Sequence, residues 1–453
     1  MEARADRYWN RVTQTAPREV LDALHLRKIR HLIEWTYENS PMHRAIYDQA
    51  RVAPRDIRTW DDYYRVLPFT DKADYLADQE KHDGIGGAAL PRRYWQQYFH
   101  TTGTTGRFLG EVFTQYEMHK GGSQYCYSLW EFGIRPGDSM YLCFDWGMWV
   151  GLWSFYWAAR NLGLLVISGG GVPGPERVRQ ILERRPTIVV GTPTYLLHLA
   201  EIADAEGVDL RQANVSLLAG GGESGMSIPV MRRRLSAAWR TEGMLDAYGI
   251  GELLHVAQSC RDSCEGVHVI EDACHSYSVD PETRLPIAER DAIGENVVTS
   301  YTHFAQPFIK YRTHDLVRRQ RDPDHGCGWT WAYLPGVVLG RTDFMVTIRG
   351  VNVYPTAVES LIGEVPGLTN HYELHIHRVA GMDRMLVKAE ARAGAPDCSA
   401  LSRQLAEHVQ RKLGVRLETE VVSNGTLPRY QVKSRHVIDH RAAEERASQR
   451  GNP

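Results

Sequence analysis

The stretch GLLVISGGGVPGPERVRQILERRPTIVVGTP, residues 163–193, decides the fold class. A short apolar run ends in glycines, the segment PERVRQILERR follows with helical periodicity, and a second apolar run ends in Gly-Thr-Pro. The runs SMYLCFDW and VSLLAGGG, residues 139–146 and 215–222, have the same character. Short buried strands that alternate with helices predict a multi-layer α/β domain rather than a β-sandwich, with ligands beyond the carboxyl ends of the strands.

From about Gly340 the pattern changes to that of a small α+β unit. Residues 356–365 are helical in character, residues 371–379 and 384–392 alternate as strands, and a second helix is expected before Gly414. The apolar stripe of that second helix consists of Leu401, Leu405, Val409 and Leu413. We therefore predict a large domain over residues 1–340 and a small C-terminal domain over residues 341–453, with a hinge at Asp343.

Composition excludes several classes of protein. The 453 residues are 43% hydrophobic and 24% charged, with 53 basic against 55 acidic side chains and a formal net charge of -2. This balance gives no basic field for nucleic acid or an anionic membrane. The apolar segment at residues 146–159 is shorter than the roughly 20 residues of a membrane span, and the charged N-terminus does not read as a secretion signal. We expect a cytoplasmic protein in which the 7 cysteines form no disulfide framework.

The segment YFHTTGTTGRFLGEVFT, residues 98–114, is a candidate anion-binding loop. Its glycines permit close backbone approach, its threonines add hydroxyl donors to the backbone N–H groups, and Arg107 adds a fixed charge. A polyphosphate needs this combination of short donors, little bulk and a cation. The loop lacks the Walker spacing, and taken alone such a Thr/Gly string is more often a flexible polar turn than a binding site.

The loop HTTGTTGR resembles the phosphate loop of the adenylate-forming superfamily, acyl-CoA synthetases and their relatives, and in particular of the phenylacetate-CoA ligase type. Other segments resemble landmarks of that type in the same order along about residues 30–440. These segments are residues 37–75, LLAGGGESG (217–225), LDAYGIGE (245–252), KYRTHDLV (310–317), GRTDFMVTIRGVNVYPTAVE (340–359) and GTLPRYQVKSRHVID (425–439).

The resemblance implies a role for each matching residue. Phosphates of ATP would lie on the loop formed by Thr101, Thr102, Gly103, Thr104, Thr105, Gly106 and Arg107. The adenine end would be lined by Gly221, Gly222, Glu223, Tyr248 and Gly249, with Tyr248 stacked on the base. Asp315 would accept hydrogen bonds from the ribose, and Arg341 would lie near the ribose or phosphate. Glu252 would help to hold Mg²⁺, and Lys433 would stabilise charge at the bond being made.

The implied activity has two steps. A carboxylic acid attacks the α-phosphate of ATP to give an acyl-adenylate and pyrophosphate, and the thiol of CoA then displaces AMP. The small domain would rotate about Asp343 between the steps, because Lys433 is needed only for the first. The resemblance also implies a homodimer.

Departures from the family pattern leave other functions open. Arg107 stands where lysine is usual, Gly251 stands where Ser or Thr commonly precedes the magnesium glutamate, and a "GYG" segment is replaced by FDWGMWVGLW. One alternative is an adenylating enzyme with another acceptor, a carrier-protein thiol or an amine, or with another oxyanion such as nitrite. Another is a catalytically silent nucleotide-binding protein, although the presence of Glu252, Asp315 and Lys433 disfavours it.

An aromatic cluster after YLCF is a candidate acid pocket. Its aromatic members are Trp146, Trp149, Trp153 and Tyr156, with Tyr195 and Tyr248 nearby. Aromatic walls suit a flat aryl or cyclic acid, and Asp145 is a candidate partner for a ring substituent. The same cluster is equally compatible with an ordinary core.

Two Cys/His segments form a candidate zinc site. Cys260 and His268 lie in CRDSCEGVH, and His325 and Cys327 lie in DHGCGWT. Some relatives of the phenylacetate-CoA ligase type carry a similar pattern, and two thiolates with two imidazoles would make a closed, structural tetrahedral site. The alternative is that the cysteines are buried thiols and the histidines are satisfied by hydrogen bonds.

Overall fold

The structure is a computed structural model of the whole chain. It describes residues 7–81, 84–101, 108–223, 225–263, 265–323, 325–342, 346–348, 351–379, 382–395, 397–428 and 436–441. The predicted phosphate-loop residues Thr102 to Arg107, the hinge residue Asp343 and Lys433 lie outside these ranges. Their assignments therefore stay predictions.

The described part of residues 11–94 contains only helices and connecting segments, helices and strands alternate over residues 97–248, and strands predominate afterwards. The α-helices are α1 (Arg11–Gln14), α2 (Arg18–Asn39), α3 (Pro41–Gln49), α4 (Trp60–Arg65), α5 (Lys72–Gln79), α6 (Gln115–Glu131), α7 (Val150–Leu162), α8 (Gly174–Arg184), α9 (Pro193–Ala205), α10 (Pro229–Trp239), α11 (Pro355–Glu364) and α12 (Cys398–Leu413). The strands are β1 (Gln97–His100), β2 (Gly110–Phe113), β3 (Ser139–Leu142), β4 (Leu165–Ser168), β5 (Ile188–Val190), β6 (Leu217–Gly221), β7 (Met244–Tyr248), β8 (Ala257–Gln258), β9 (Gly266–Val269), β10 (Cys274–Val279), β11 (Ile293–Ser300), β12 (Tyr311–Arg318), β13 (Tyr333–Pro335), β14 (Gly340–Arg341), β15 (Val346–Ile348), β16 (Val351–Val353), β17 (Leu368–Val379), β18 (Met382–Ala391), β19 (Glu418–Val422) and β20 (Val437–Asp439).

The largest sheet in the described ranges has the strand order β13-β9-β8-β7-β6-β5-β3-β4. Strands β3 to β7 pair in parallel, whereas β8, β9 and β13 add antiparallel pairs at one end. The predicted strands at residues 139–146, 163–168, 186–193 and 215–222 all belong to the parallel part. Apolar clusters cover both faces of it, as continuous hydrophobic strands require. The α/β class is confirmed.

The parallel pairing places distant loops at one edge of the sheet. Strand β3 has β4 on one side and β5 on the other, so the chain changes direction across the sheet at this point. The carboxyl ends of β3, β5, β6 and β7 lead into the segments after Leu142, Val190, Gly221 and Tyr248. Ligands of open α/β sheets bind at such an edge. The aromatic, glycine-rich and Tyr248–Glu252 segments therefore converge.

Two smaller sheets complete the surroundings of this edge. Strands β1 and β2 form a hairpin on either side of the predicted phosphate loop, with His100 opposite Gly110. Strands β10, β11, β12 and β14 form an antiparallel sheet, in which Asp315 of β12 lies opposite Arg341 of β14. The backbone N–H of His100 donates to the carbonyl of Met148, which brings the hairpin against the aromatic segment.

The C-terminal part folds around a core of its own. Its sheet has the order β19-β18-β17-β20, and α11 and α12 pack against it. The predicted stripe of α12 is confirmed, because Leu401, Leu405 and Val409 are buried and Gly414 ends the helix with a φ of +70°. The domain boundary predicted near Asp343 falls outside the described residues and stays a prediction.

The aromatic segment of residues 146–159 is largely helix α7, which packs on α6 and on the large sheet. Gly163 ends this helix in the left-handed region, with a φ of +70°. Among the described residues, no helix is both long enough and apolar enough to cross a membrane.

Candidate active site

The predicted phosphate side of the site contains an ion pair between Glu252 and Lys72. The Lys72 ammonium lies 3.3 Å from Oε1 of Glu252 and donates to the hydroxyl of Thr101 at 2.9 Å. Tyr311 donates its hydroxyl to the same carboxylate oxygen at 3.2 Å. Glu252 follows β7, and Thr101 follows β1, so the loop's first threonine and the predicted magnesium ligand are in one cluster. Lys72, which sequence reasoning did not single out, adds a cation to it.

A second carboxylate, Glu111, explains the unusual Gly251. Glu111 lies on β2 with 1% of its surface exposed, and its Oε1 has no hydrogen-bond partner in the described structure. A Cβ atom added to Gly251 would collide with that oxygen. Burial raises the pKa of Glu111 well above its ordinary value and Glu252 raises it further, whereas Lys72 lowers it. The Glu111 carboxylate therefore occupies the space that a side chain at position 251 would need.

The ribose-binding residues implied by the family are held together by direct hydrogen bonds. Asp315 is 3% exposed; its Oδ2 accepts from the Tyr248 hydroxyl at 2.7 Å, and its Oδ1 accepts from the Arg341 guanidinium at 2.8 Å. Asn296 also donates to the Tyr248 hydroxyl, at 3.3 Å. Burial and Asp315 raise the pKa of Tyr248 well above its ordinary value, so this phenol stays protonated and fixes the carboxylate.

The glycine-rich end of β6 is crowded by neighbouring groups. A Cβ atom on Gly221 would lie 2.7 Å from the carbonyl oxygen of Ala247. Gly222 has a φ of +86°, and a Cβ atom there would lie 2.9 Å from the Trp149 ring. Glycine is required at both positions because a side chain there would overlap the neighbouring carbonyl or ring. Gly249 is confined in the same way, because a Cβ atom there would collide with the Leu254 carbonyl.

Glu223 is used at the start of helix α9. Its Oε1 accepts hydrogen bonds from the backbone N–H of Thr194 at 2.7 Å and from the Thr194 hydroxyl at 2.6 Å. A carboxylate at a helix N-terminus is favoured by the unpaired N–H groups there. The side chain thus positions the loop after β6 relative to the loop after β5. Its predicted place at the adenine end stays a prediction.

The predicted aromatic pocket contains two groups of rings. Trp146, Trp153 and Tyr156 meet edge to face, with centroids 4.7 to 6.1 Å apart. Trp149 packs against Phe144, 5.2 Å away, and also over Gly222. Trp146 is 39% exposed, whereas a purely internal core ring would be covered. The aromatic segment therefore borders the glycine-rich loop and retains an accessible face.

Asp145 and Tyr195 are both engaged by Arg177, a residue that sequence reasoning missed. Arg177 is 1% exposed, and its guanidinium donates to Asp145 at 3.0 Å, to the Tyr195 hydroxyl and to the Gly169 carbonyl at 2.8 Å. Asp145 also accepts from the Gly171 N–H at 2.7 Å. This network ties the loops after β3 and β4 to helix α9. The predicted contact of Asp145 with a ring substituent of the acid stays a prediction.

The predicted Cys/His residues come together in a compact cluster. One ligand atom from each of Cys260, His268, His325 and Cys327 lies within 4.8 Å of all the others. The Nε2 atoms of the two histidines are 2.9 Å apart, and each also lies near a cysteine sulfur. His268 Nδ1 is 3.0 Å from the Trp331 carbonyl, which would hold the proton on Nδ1 and leave Nε2 free to bind a metal.

A contact between the two parts of the chain involves Glu201 of α9. Its Oε2 lies 3.3 Å from His198 on the same helix and 3.4 Å from His371 on β17. Although burial acts to raise it, hydrogen bonds from these histidines hold the pKa of Glu201 below its ordinary value. The carboxylate therefore joins the small sheet to the large domain as an ion over the ordinary pH range.

Comparisons with known proteins place this geometry in a family. The family described as "AMP-binding enzyme C-terminal domain" matches residues 350–441. The chain is 30% identical to the phenylacetate-coenzyme A ligase of Thermus thermophilus over 94% of its length and 98% of that protein. The chain belongs to the phenylacetate-coenzyme A ligase family. The enzymes of that name from Pseudomonas putida and Escherichia coli are 28% and 29% identical, over 97% and 94% of this chain and 98% and 97% of theirs.

Solved structures of 2-hydroxyisobutyryl-CoA ligase have the same fold. The postadenylation state in complex with R3-HIB-AMP gives a TM-score of 0.90 at 25% identity, over 99% of this chain and 96% of that one. The thioesterification state, with 2-HIB-AMP and CoA, gives 0.74 at 26% identity over the same shares. This member of the phenylacetate-coenzyme A ligase family therefore has an arrangement closer to the postadenylation state.

Membership of the phenylacetate-coenzyme A ligase family confirms the expected enzyme class. The protein is an AMP-forming acid–CoA ligase that uses ATP, a carboxylic acid and CoA. Tyr248 ends β7 and Glu252 follows it at one edge of the large sheet, whereas Asp315 and Arg341 lie on the neighbouring antiparallel sheet. The roles of the individual side chains stay predictions.

We predict that Gly251 and Glu111 are energetically coupled. Gly251→Ser should lower the free energy of unfolding by about 1–3 kcal/mol, because the new side chain overlaps a buried carboxylate. Glu111→Ala in the same chain should recover most of that loss by removing the overlap. Urea denaturation of the wild type, both single variants and the double variant measures the coupling; additive effects to within about 0.5 kcal/mol would contradict it.

Proposed function

We propose that the protein activates an aromatic or cyclic carboxylic acid as its adenylate and transfers it to CoA. The observation that carries this proposal is the meeting, at one edge of the sheet, of the Glu252–Lys72 cluster and the Asp315–Tyr248–Arg341 cluster with the aromatic segment. These three sets suit a triphosphate, a ribose and a flat apolar acid.

The aromatic rings favour an aryl acid over a small polar one. Trp146, Trp153 and Tyr156 offer ring faces and edges at 4.7 to 6.1 Å, the spacing at which a further aromatic ring gains by edge contacts. Trp149 over Gly222 would place the acid next to the nucleotide. The similar enzymes from Thermus thermophilus and Pseudomonas putida are named for phenylacetate, an acid of this class.

The nucleotide would be held from both ends. Asp315 is fixed by Tyr248 and Arg341, so its carboxylate would accept the ribose hydroxyls without reorganising. Thr101 and Lys72 would contact the phosphates at the start of the loop, and Lys72 adds the compact ammonium that Arg107 does not provide. Two cations of different shape would therefore share the polyphosphate.

The residues around Glu252 fit a magnesium ion. Glu252 is a hard oxygen donor, and Glu111 contributes a buried carboxylate oxygen without a hydrogen-bond partner in the described structure. We propose that both carboxylates hold Mg²⁺ with the phosphates of ATP. The ion would offset phosphate charge as pyrophosphate leaves. Tyr311 and Lys72 keep the Glu252 carboxylate oriented.

The first chemical step makes an acyl-adenylate. The carboxylate oxygen of the acid bonds to the α-phosphorus, the bond from that phosphorus to the bridging oxygen breaks, and pyrophosphate leaves. Lys433 would stabilise the charge that develops on the reacting oxygens. In the second step the CoA sulfur attacks the acyl carbon and AMP leaves with the bonding electrons.

Rotation of the small domain would separate the two steps. The TM-scores of 0.90 and 0.74 support an arrangement suited to the first step, and the Glu201–His371 contact joins the two parts of the chain in this arrangement. The contact would break when the domain turns. Since Glu201 is 41% exposed, its hydrogen bonds are weak enough to be exchanged for water at each turnover.

We propose that the cluster of Cys260, His268, His325 and Cys327 binds Zn²⁺ as a structural ion. Two sulfur and two nitrogen ligands within 4.8 Å suit a closed tetrahedral site. The ligands join the segment after β8 and strand β9 to the loop before β13, at the antiparallel end of the large sheet. The ion would tie these segments together without touching the reacting groups. The homodimer and the cytoplasmic location expected from the sequence stay predictions.

A panel of acids tests the function. With phenylacetate, benzoate, hydroxybenzoates and cyclohexanecarboxylate, we expect pyrophosphate release and, once CoA is added, the matching acyl-CoA by mass spectrometry. An aliphatic hydroxy acid should react more slowly, because it cannot fill the aromatic pocket. If AMP forms with these acids but no acyl-CoA appears, the acceptor is a carrier thiol or an amine and the CoA step of the proposal is wrong.

Trp146→Leu is the matched variant for the pocket. It removes an accessible ring without touching Asp315, Glu252 or Thr101. We expect kcat/KM for aryl acids to fall about two- to tenfold, the loss of one aromatic contact, with little change for the aliphatic acid. An equal fall in kcat/KM for aryl and aliphatic acids would show that the Trp146 ring serves packing and does not recognise the acid.

Lys433→Ala should abolish the first half-reaction. We expect acid-dependent exchange of pyrophosphate into ATP to fall by at least about a hundredfold, as for the loss of one charge-stabilising donor, while ATP binding measured by calorimetry is retained. Lys388→Ala is the control, because this lysine lies on β18 and faces Glu420. Full exchange activity in Lys433→Ala would remove the assigned role.

Metal analysis tests the zinc site. Protein purified without added zinc should contain zinc that depends on Cys260, so that Cys260→Ser lowers the content by about one ion per chain. Cys398→Ser, a partly buried cysteine outside the cluster, should retain the wild-type content. Well under one zinc per chain in the wild-type protein would contradict the proposal.

A further inference from the structure

Three histidines meet on the outer face of the small-domain sheet. Glu373, His375 and His377 alternate along β17, so their side chains share the face opposite the buried Leu374 and Ile376. His440 directly follows β20, which pairs in parallel with β17, and its backbone N–H donates to the Ile376 carbonyl at 2.8 Å. The sheet therefore places the three imidazoles side by side.

The ring nitrogens of these histidines converge. One ligand nitrogen from each of His375, His377 and His440 lies within 4.8 Å of the other two, and Nδ1 of His375 is 3.0 Å from Nε2 of His440. Metal–nitrogen bonds of about 2.0–2.1 Å put the nitrogens of a tetrahedral site about 3.4 Å apart. The three rings are stacked nearly parallel, with interplanar angles of 5–10° and centroids 4.4–6.4 Å apart, so one shared ion requires the rings to rotate until their nitrogens face a common point.

Glu373 orients the His375 ring in the way that carboxylates orient metal-binding histidines. Its Oε2 lies 3.1 Å from Nε2 of His375, so the carboxylate accepts the Nε2–H and the Nδ1 lone pair is directed at the cluster. A carboxylate behind an imidazole fixes its tautomer and makes it a stronger ligand. Glu373 and His375 are 12% and 18% exposed, so an ion from solution can reach the cluster.

The surrounding charges do not exclude a cation. Opposite the histidines on β18, Arg384 pairs with Glu418 and Lys388 with Glu420. Arg441, next to His440, is held by Asp383 and Asp439. The neighbouring positive charges are therefore balanced by carboxylates on the same small domain.

We propose that His375, His377 and His440 bind a divalent transition-metal ion of the kind that imidazole prefers, such as Ni²⁺ or Zn²⁺, with Glu373 as the orienting partner. This site is separate from the Cys260 cluster and uses nitrogen ligands only. Strand β20 is three residues long and begins four positions after Lys433. The ion would fasten this short strand to β17 and so stabilise the end of the segment that carries the predicted catalytic lysine.

Nickel uptake by the full-length protein, purified without added zinc, tests the proposal. In equilibrium dialysis against Ni²⁺, the wild-type protein should bind about one ion more than His440→Gln, and Ni²⁺ should raise Tm in the wild type alone. His408→Gln is the matched control, because His408 lies on α12 of the same domain, where its Nε2 is 2.8 Å from Glu364 of α11. Equal uptake by the wild type and His440→Gln would overturn the site.

Glu373→Gln separates metal binding from simple packing. The amide keeps the size of the side chain but removes its charge, so Ni²⁺ affinity should fall about 10- to 100-fold while Tm without metal is unchanged. Unchanged nickel affinity in this variant would overturn the orienting role of Glu373.

Discussion

The parallel pairing of β3 to β7 is the constraint on which the site depends. Parallel strands have their carboxyl ends at the same edge, so four connecting segments that are far apart in sequence open at one place. The second sheet then supplies Asp315 and Arg341, and the β1–β2 hairpin supplies Thr101. No single segment of the chain contains the whole site; the sheet brings its parts together at one edge.

The charges in the cluster around Glu252 depend on burial as well as on residue type. Glu252, Glu111 and Lys72 form a compact set in which two carboxylates face one ammonium. Such a set favours the arrival of a further cation together with a polyanion, because each offsets the charge that the other brings. Asp315 is different, since Tyr248 and Arg341 each donate a hydrogen bond to one of its oxygens and so orient the carboxylate.

Much of this arrangement could be predicted from the sequence, because strands, helix ends and glycine-rich loops are local patterns. The α/β class, the stripe of α12 and the edge that carries Tyr248 and Glu252 all follow from such patterns. Lys72, Glu111 and Arg177 could not be found in this way, since their importance arises only from partners distant in the chain. Lys72 lies in a segment that resembles the family, but nothing local distinguishes it from a surface lysine.

The contact between Gly251 and Glu111 has a consequence for how this sequence can diverge. A hydroxyl side chain at position 251 costs stability unless the carboxylate at position 111 moves away or is absent. Loss of the carboxylate first leaves an empty space beside Glu252 until position 251 changes as well. We therefore expect the two positions, 140 residues apart, to change together, so that relatives with Ser or Thr before the glutamate carry a small or apolar residue on the second strand of the hairpin.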